Sequence, residues 1–404
     1  MKLERNQALK RRGERVIPGG MYGHMSTYRL MPPRYPQYFE RAEGCRLWDV
    51  DGNEYIDFMC SYGPMIAGYG NPRIRAAADA QRDRLDIANA PPPLIIELAE
   101  SLVGQVSHAG WAIFAKNGND ATTVCNMVAR ARSKKRKILV AEGAYHGAAP
   151  WANRMSRGTP AEDHVHFPTY RYNEVESLNA AARAVAGDLA GIVVSAFKHD
   201  AGQDQELPDL AFARRAREIC DAEGAALILD DVRAGLRLSL DASWSELGVQ
   251  PDLSAWGKAI GNGEPVAAIL GNEAYREAAT RIFVTGSFWY QAAPFAAAIE
   301  TLDLLAEVDA PAVVERLGQQ FRDGLDEQAR RYGHAIRQTG PTQMPTVLFE
   351  DDDRREKGFA FCSHALDHGV FLHPWHNMFL SVAHTESDIE QALAGTARAF
   401  QALG

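Results

Sequence analysis

The chain has no uncharged apolar run approaching the roughly 18 residues that a membrane span requires. Its opening, Met1-Lys2-Leu3-Glu4-Arg5-Asn6, also lacks the apolar core of a secretion signal, so a cytoplasmic address with no membrane partner is expected. Cysteine is scarce. The five (Cys45, Cys60, Cys125, Cys220 and Cys362) are scattered, with no C-x-x-C and no His/Cys cluster. That spacing argues against a disulfide frame and a zinc site and predicts reduced, mostly buried thiols. Positive charge is not in surplus either, since 43 Lys and Arg face 52 Asp and Glu for a net charge of −9. Binding to nucleic acid draws on cations that neutralise phosphates, so nucleic acid is not an expected partner. A local basic run, Arg130 to Lys137, reads as the solvated end of a helix leading into an apolar strand. Internal repeats, low-complexity tracts and long linkers are also missing.

What is present is an ordinary globular composition, 46% hydrophobic and 24% charged over 404 residues. Residues 1–16 are charged and helix-compatible, and Pro18-Gly19-Gly20 breaks them. Arg46-Leu47-Trp48-Asp49-Val50 and Glu54-Tyr55-Ile56-Asp57-Phe58 alternate around Asp51-Gly52-Asn53, the pattern of a β-hairpin. Beyond residue 70, helical periodicity alternates with short apolar runs. The strand candidates are Ala112–Ala115, Ile138–Ala141, Gly191–Ser195, Ala226–Leu229, Leu253–Ala255 and Ala267–Leu270. That alternation predicts an α/β fold with a mostly parallel sheet covered by helices. A long helix is expected from Pro294 through Leu305. After residue 310 the pattern reads helix, strand (Thr346–Phe349), helix (Gly358–His368), strand (Met378–Val382), helix (Glu386–Leu403). The expected division is an N-terminal arm and hairpin (1–60), a large domain (61–295) and a C-terminal small domain (296–404). The hairpin would join the small α+β domain.

The chemistry-bearing residues lie near predicted strand ends. Leu227-Ile228-Leu229-Asp230 is an apolar run ending in a carboxylate, which places an acid where open α/β sheets bind ligands. Lys258, 28 positions on, sits between Trp256-Gly257 and Ala259-Ile260, unlike a lysine on a solvated helix face. Asn117-Gly118-Asn119 opens the helical run Ala121–Arg132. Backbone N–H groups at such a helix start, with the helix dipole, make an anion cup, while an Asn/Asp-rich cap with no ligand is the bland alternative. Tyr145 and His146 follow the strand at 138–141 and are placed to stack on, or approach, a planar group; a structural Tyr-His pair reads equally well. A metal at Asp230 has no histidine or carboxylate cluster to support it beyond Asp231. Gly257-Lys258 only superficially mimics a phosphate-binding P-loop. In sequential order the four features supply an anion cup, a stacking aromatic, an acid for a pyridine nitrogen and a Schiff-base lysine. Pyridoxal 5'-phosphate chemistry uses that set.

With these residues in view, the chain resembles the class III, fold-type I pyridoxal-phosphate aminotransferases, and within them the glutamate-1-semialdehyde aminomutase branch. The resemblance runs from Ile17-Pro18-Gly19-Gly20 through Trp48-Asp49-Val50-Asp51-Gly52-Asn53 to Ala383-His384-Thr385-Glu386. It implies a large mostly parallel sheet domain and a smaller domain built from both chain ends. It implies Lys258 as the cofactor-linked lysine, Asp230 as the ring-nitrogen acid, Val232 and Tyr145 on the two ring faces, and His146 beside them. Asn117, Gly118 and Asn119 fall where the family holds the phosphate. Ser287 falls where the partner subunit completes that site, so a homodimer with shared active sites is implied. Departures accompany the resemblance: Asn-Gly-Asn-Asp replaces Ser-Gly-Thr-Glu, Asp231 replaces a usual glutamate, and Arg233-Ala234-Gly235-Leu236-Arg237 is atypical. Near the cofactor's phenolic oxygen, His199 and Asp200 stand where many members have a Glu-Pro pair.

The implied reaction moves an amino group between an amine or amino acid and a carbonyl acceptor. A 2,1-aminomutase, an ammonia-eliminating lyase and a catalytically silent cofactor-binding relative are the alternatives on the same scaffold. Tyr22, His24, Trp289 and His376 are the candidate substrate residues. Arg29 and Arg34 are the candidate carboxylate partners, each more readily read as a surface or structural residue.

Overall fold

In the N-terminal segment, β1 (Phe39–Glu43), β2 (Arg46–Asp49) and β3 (Glu54–Asp57) pair antiparallel in sequence order. Burial alternates along β2, with Leu47 and Asp49 inside, as a period of two requires. The Asp49 carboxylate accepts from the Asp51 and Asn53 amides at 3.0 and 2.9 Å, and Gly52 takes φ +82°. Asp49 thus closes the turn that the Asp-Gly-Asn signature predicts. The computed structural model describes residues 1–24, 26–28, 30–154 and 158–404. Contacts divide the chain into two units: residues 72–200 with 205–311, and residues 1–71, 201–204 and 312–404.

The larger unit is organised by a seven-stranded sheet. Its strands are β4 (Trp111–Ala115), β5 (Lys137–Ala141), β6 (Thr169–Tyr170), β7 (Leu189–Ser195), β8 (Ala226–Asp230), β9 (Leu253–Trp256) and β10 (Ala267–Gly271), in the order β4-β10-β9-β8-β7-β5-β6. All positions of β7, β8, β9 and β10 are buried, the signature of strands covered on both faces. Six of these strands match apolar runs read from the sequence; β6, two residues long, carries no such run. The neighbours from β9 to β6 are parallel, whereas β10 is antiparallel to both β4 and β9. Residues 257–266 join β9 to β10, which is too short for a parallel crossover of a dozen or more residues.

The Gly118–Ser133 helix covers one face of this sheet. Ala121, Val124, Cys125, Val128 and Ala129 recur at helical spacing and pack with Val140, Ile228, Ala255 and Ile269 in one core cluster. Burying each of the larger side chains stabilises the fold by about 1.5–3 kcal/mol. The helix therefore holds a fixed position over β8 and β9, and its first turn is carried to the C-terminal end of the sheet.

In the smaller unit β11 (Ile336–Thr339) pairs antiparallel with β12 (Thr346–Phe349), and β13 (Val370–Phe371) lies parallel to β3. The strand expected over Met378–Val382 does not form. Met378, Phe379 and Leu380 are buried, but their amides donate to Pro345, Phe58 and Gln343 carbonyls in turn. An apolar run secures burial without securing a ladder partner. All five cysteines are buried and unbridged. No described helix is long and apolar enough to cross a membrane.

Candidate active site

β8 ends at Asp230, and the register pairs Asp230 with Ser195 on β7 and with Ala255 on β9. The Asp230 Oδ2 lies 2.6 Å from His146 Nδ1, and both residues are buried. Its Oδ1 accepts from the Val232 amide at 3.2 Å. His146 is held in turn, because its carbonyl accepts from Thr122 Oγ1 at 2.9 Å. Asn119 ties the same loop to the helix start: its Oδ1 accepts from the Ala149 amide at 2.7 Å. Gly147, at φ +114°, leaves room for that side chain, which would lie 2.5 Å from any Cβ there. His146 Nε2 is buried with no hydrogen-bond partner among the described residues.

The turn after β8 also carries Asp231, Val232 and Arg233. Asp231 is buried and bonds the Ser243 amide at 2.9 Å and the Ser243 hydroxyl. Burial pushes its carboxyl up to about 7 against those two bonds. Val232 packs on the start of the Gly118–Ser133 helix, where a Cβ on Gly118 would meet Val232 Cγ1 at 2.5 Å. Gly257 closes the same corner: a Cβ there would sit 3.5 Å from the Gly118 nitrogen. Two glycines and a valine thus leave a narrow cradle at the amide groups of Gly118 and Asn119. Those amides are in the first helical turn, where no carbonyl one turn earlier is available to them. Asn117 is exposed and its amide donates to Asp120 Oδ2 at 3.0 Å, which shapes the turn.

Lys258 follows β9 directly and takes φ +46°, a left-handed conformation that is costly for a residue with a side chain. Burial, followed by the nearby Arg233 and Arg237 charges, lowers its amine from 10.5 to about 7 against the attraction of Asp230. A lysine amine lowered to about 7, a buried carboxylate and an anion cup therefore share the C-terminal edge of one sheet. That set matches the demands of a phosphorylated, electron-withdrawing pyridine cofactor.

Comparison with known proteins decides the family. The class III aminotransferase family matches residues 31–395. The chain belongs to the class III aminotransferases. The aminotransferase is 50% identical over 399 residues to the aminopentol aminotransferase of Sphingopyxis macrogoltabida, covering 99% of this chain and 94% of that one. The structure of the FumI protein of Sphingopyxis sp. MTA144, in its pyridoxal-phosphate internal aldimine form, superposes with a TM-score of 0.97 at 50% identity, covering 99% and 96% of the two chains. A glutamate-1-semialdehyde 2,1-aminomutase from Brevibacillus brevis is 29% identical over 428 residues, covering 99% of each. The aminomutase branch singled out from sequence is thus the more distant match, and the aminotransferase is closer to a transaminase. Its cofactor is pyridoxal phosphate, and its substrates are small amines and carbonyl compounds.

The larger unit brings together Asn117, Gly118, Asn119, His146, Asp230, Val232 and Lys258. Tyr145, beside His146, is 53% exposed and within electrostatic range of Arg233. Ser287 is exposed, and Trp289 packs back over Gly286. Trp289 also lines a cavity of about 550 Å³ with Ile95, Ile96, Trp111 and Phe114. The remaining substrate candidates lie in the smaller unit. Tyr22 is 75% exposed. His24 and His376 both pack on Tyr62, with ring centroids at 4.5 and 5.3 Å. Arg34 makes a bidentate pair with Asp367 at 2.7 and 2.8 Å, so it serves the fold. Arg29 lies outside the described residues.

Sequence reasoning passed over Tyr62 and gave Arg233 no role. Tyr62 ends a run of three non-glycine residues at positive φ, Cys60 to Tyr62. Asp57 supports that turn by accepting from the Met59 and Cys60 amides at 2.8 and 2.9 Å and from Tyr69 Oη at 2.8 Å. The local signal was Gly63-Pro64, which follows the run directly, Gly63 itself taking φ +109°. Arg233 had a signal, its unusual charge two residues after a buried acid pair.

Proposed function

We propose that this aminotransferase accepts the amino group of an aminopentol-type amine, a donor bearing hydroxyl groups, and passes it to a separate carbonyl acceptor. The observation that carries the chemistry is the half-buried Lys258 amine, held near neutrality beside the buried Asp230–His146 pair. The donor class rests on the printed activity of the 50% identical relative and on the engagement of Arg34 with Asp367. Bound pyridoxal phosphate supplies a carbonyl that reacts with amines and a ring that accepts the electrons of a broken C–H bond.

Lys258 would hold the cofactor through its amine. Its amine, lowered to about 7, would serve as the base for the proton on the substrate carbon bearing nitrogen. Asp230 would keep the ring nitrogen protonated, with its carboxylate oriented by His146. Gly118 and Asn119 give backbone amides to the phosphate, with Asn117 shaping their turn. Val232 and Tyr145 would hold the ring between them. Ser287 completes the phosphate site of a partner subunit in a cytoplasmic homodimer. Its exposed flank, with Phe283 at 85% and Phe288 at 65%, is an apolar surface of the kind a second copy covers. Tyr22, His24, His376 and Trp289 are assigned to substrate recognition.

Borohydride reduction of the yellow holoenzyme is expected to fix the cofactor on a peptide containing Lys258; attachment to another lysine would sink the assignment. A panel of amine donors, read by the loss of the aldehyde-form absorption, should rank hydroxylated amines above ω-amino acids. Multiple turnovers with a separate acceptor separate transfer from mutase and lyase reactions. Ser287→Ala should weaken cofactor retention without dissociating the dimer; unchanged retention removes Ser287 from the site.

A further inference from the structure

We propose that Asn126, Ser195 and His146 hold one buried water behind the ring-nitrogen acid, and that this water keeps the His146 hydrogen on Nδ1, turned toward Asp230. The inference rests on the proposed role of Asp230 and makes Asn126 and Ser195 positioning residues for it. Asn126 and Ser195 are each 2% exposed, and His146 is 4% exposed. The Asn126 Oδ1 and Nδ2, the Ser195 Oγ and the His146 Nε2 have no hydrogen-bond partner among the described residues. Buried polar atoms are costly to leave unpaired, and an orphan amide among Val124, Cys125, Val128 and Ala129 calls for a partner.

The fold directs all three side chains toward one wedge. Val193 and Ile228 pack in the core cluster with the Gly118–Ser133 helix. Side chains alternate along a strand, so Ser195 and Asp230, each two residues further on, face that helix, and the register sets them opposite each other. Asn126 lies one turn beyond Thr122, whose hydroxyl holds the His146 carbonyl, and so shares its face of the helix. Burial, followed by the Asp230 charge, raises the thiol of Cys125, which puts the residue before Asn126 within electrostatic range of the acid. Trp151 covers one face of the His146 ring, with centroids 6.3 Å apart and planes 15° apart, and its Nε1 donates to Thr123 at 3.0 Å. None of the three side chains bonds another, so a small polar molecule must stand between them. A buried water, which makes about three hydrogen bonds, meets that demand. A carboxylate only accepts, so the 2.6 Å contact with Asp230 places a hydrogen on His146 Nδ1. Nε2 is then an acceptor, and the water donates to it while Asn126 and Ser195 hold the water. Without that donor the hydrogen can pass to Nε2. The Nδ1 lone pair would then face Asp230 Oδ2 and turn the carboxylate away from the ring nitrogen.

The test is magnetic resonance of protein carrying nitrogen-labelled histidine, because ring-nitrogen resonances report which nitrogen bears the hydrogen. The His146 signals are identified by their loss in His146→Gln. In wild type, with and without cofactor, Nδ1 should carry the hydrogen. Asn126→Leu and Ser195→Ala should each move His146 toward a mixture of the two tautomers. Asn126→Ser, which keeps a hydroxyl in the wedge, should lie between. The half-reaction of the holoenzyme with an amine donor should slow by about 3- to 10-fold in Asn126→Leu, the worth of one hydrogen bond. The double variant should lose little more than either single one, since one water serves both residues. A merely structural Asn126 would lower the urea midpoint and leave the resonances in place. Unchanged His146 resonances in both Asn126→Leu and Ser195→Ala overturn the proposal, whatever the rates. The cofactor-free resonances test it even if cofactor proves to be linked to a lysine other than Lys258, a result that overturns the reading of the site and not the water.

Discussion

Gly118→Ala tests the cradle most directly, because the geometry fixes the sign. The added methyl would lie 2.5, 2.8 and 3.2 Å from Val232 Cγ1, Cγ2 and Cβ. Ordinary contact is no closer than about 3.4 Å, so one partner must move by nearly 1 Å. Val232 is branched at Cβ and stiff at χ1, so it cannot swing clear without shifting the Asp230–Arg233 turn. Overpacking of this kind costs about 1–3 kcal/mol. If that strain falls on the cofactor-bound state, affinity drops about 5- to 150-fold, at 1.4 kcal/mol per factor of ten. Fluorescence titration of cofactor-free protein with pyridoxal phosphate reads the affinity, and urea unfolding reads the fold. Val232→Ala in the Gly118→Ala background removes both γ carbons and should restore much of the loss, a coupling that a double-mutant cycle measures. Wild-type affinity and stability in Gly118→Ala, or equal losses with and without the Val232 change, would refute the packing argument.

The Lys258 environment makes a pH prediction. Folded protein releases this proton near pH 7 and unfolded chain near 10.5, so the unfolded chain binds more protons between those values. Stability of the cofactor-free protein should therefore rise with pH across that window, by up to about 1.4 kcal/mol per unit. Lys258→Met should flatten the rise, and parallel urea-midpoint profiles for the two proteins would contradict the shifted amine. His146→Ala leaves the buried Asp230 carboxylate without its partner, at a cost of about 1–3 kcal/mol. It should also loosen cofactor binding, measured by release on gel filtration; full retention with unchanged unfolding would show that His146 does not orient the acid.

Much of the larger unit was readable because its strands are short apolar runs between amphipathic helices. Asp230 was legible as a carboxylate closing such a run, and Lys258 as a lysine without a solvated face. The orientation of β10 was less so, since an apolar pentapeptide does not state which way it runs; the short connection from β9 decides it. Met378–Val382 misled because burial and ladder pairing have the same apolar signature. Arg233 was visible only as a departure from a pattern. Its neighbours Tyr145 and Asp200 are 88 and 33 positions away, and only the sheet order sets them side by side. The His24–Tyr62–His376 cluster was hidden for a similar reason, because its rings come from distant parts of the chain, and Gly63 announces a turn after Tyr62 but not which rings meet there.

The strand order has one further effect: it brings the loops of the site to one point. In the sheet β10 separates β4 from β9, yet the turns that leave β4 and β9 lean together, and a Cβ on Gly257 would sit 3.5 Å from the Gly118 nitrogen. The turn after β8 closes on the same place through Val232, whose Cγ1 would lie 2.5 Å from any Cβ on Gly118. The span between the anion cup and the lysine is thus held by glycines at the loop ends and not by the spacing of the strands, so a substitution at either glycine alters the room offered to the cofactor.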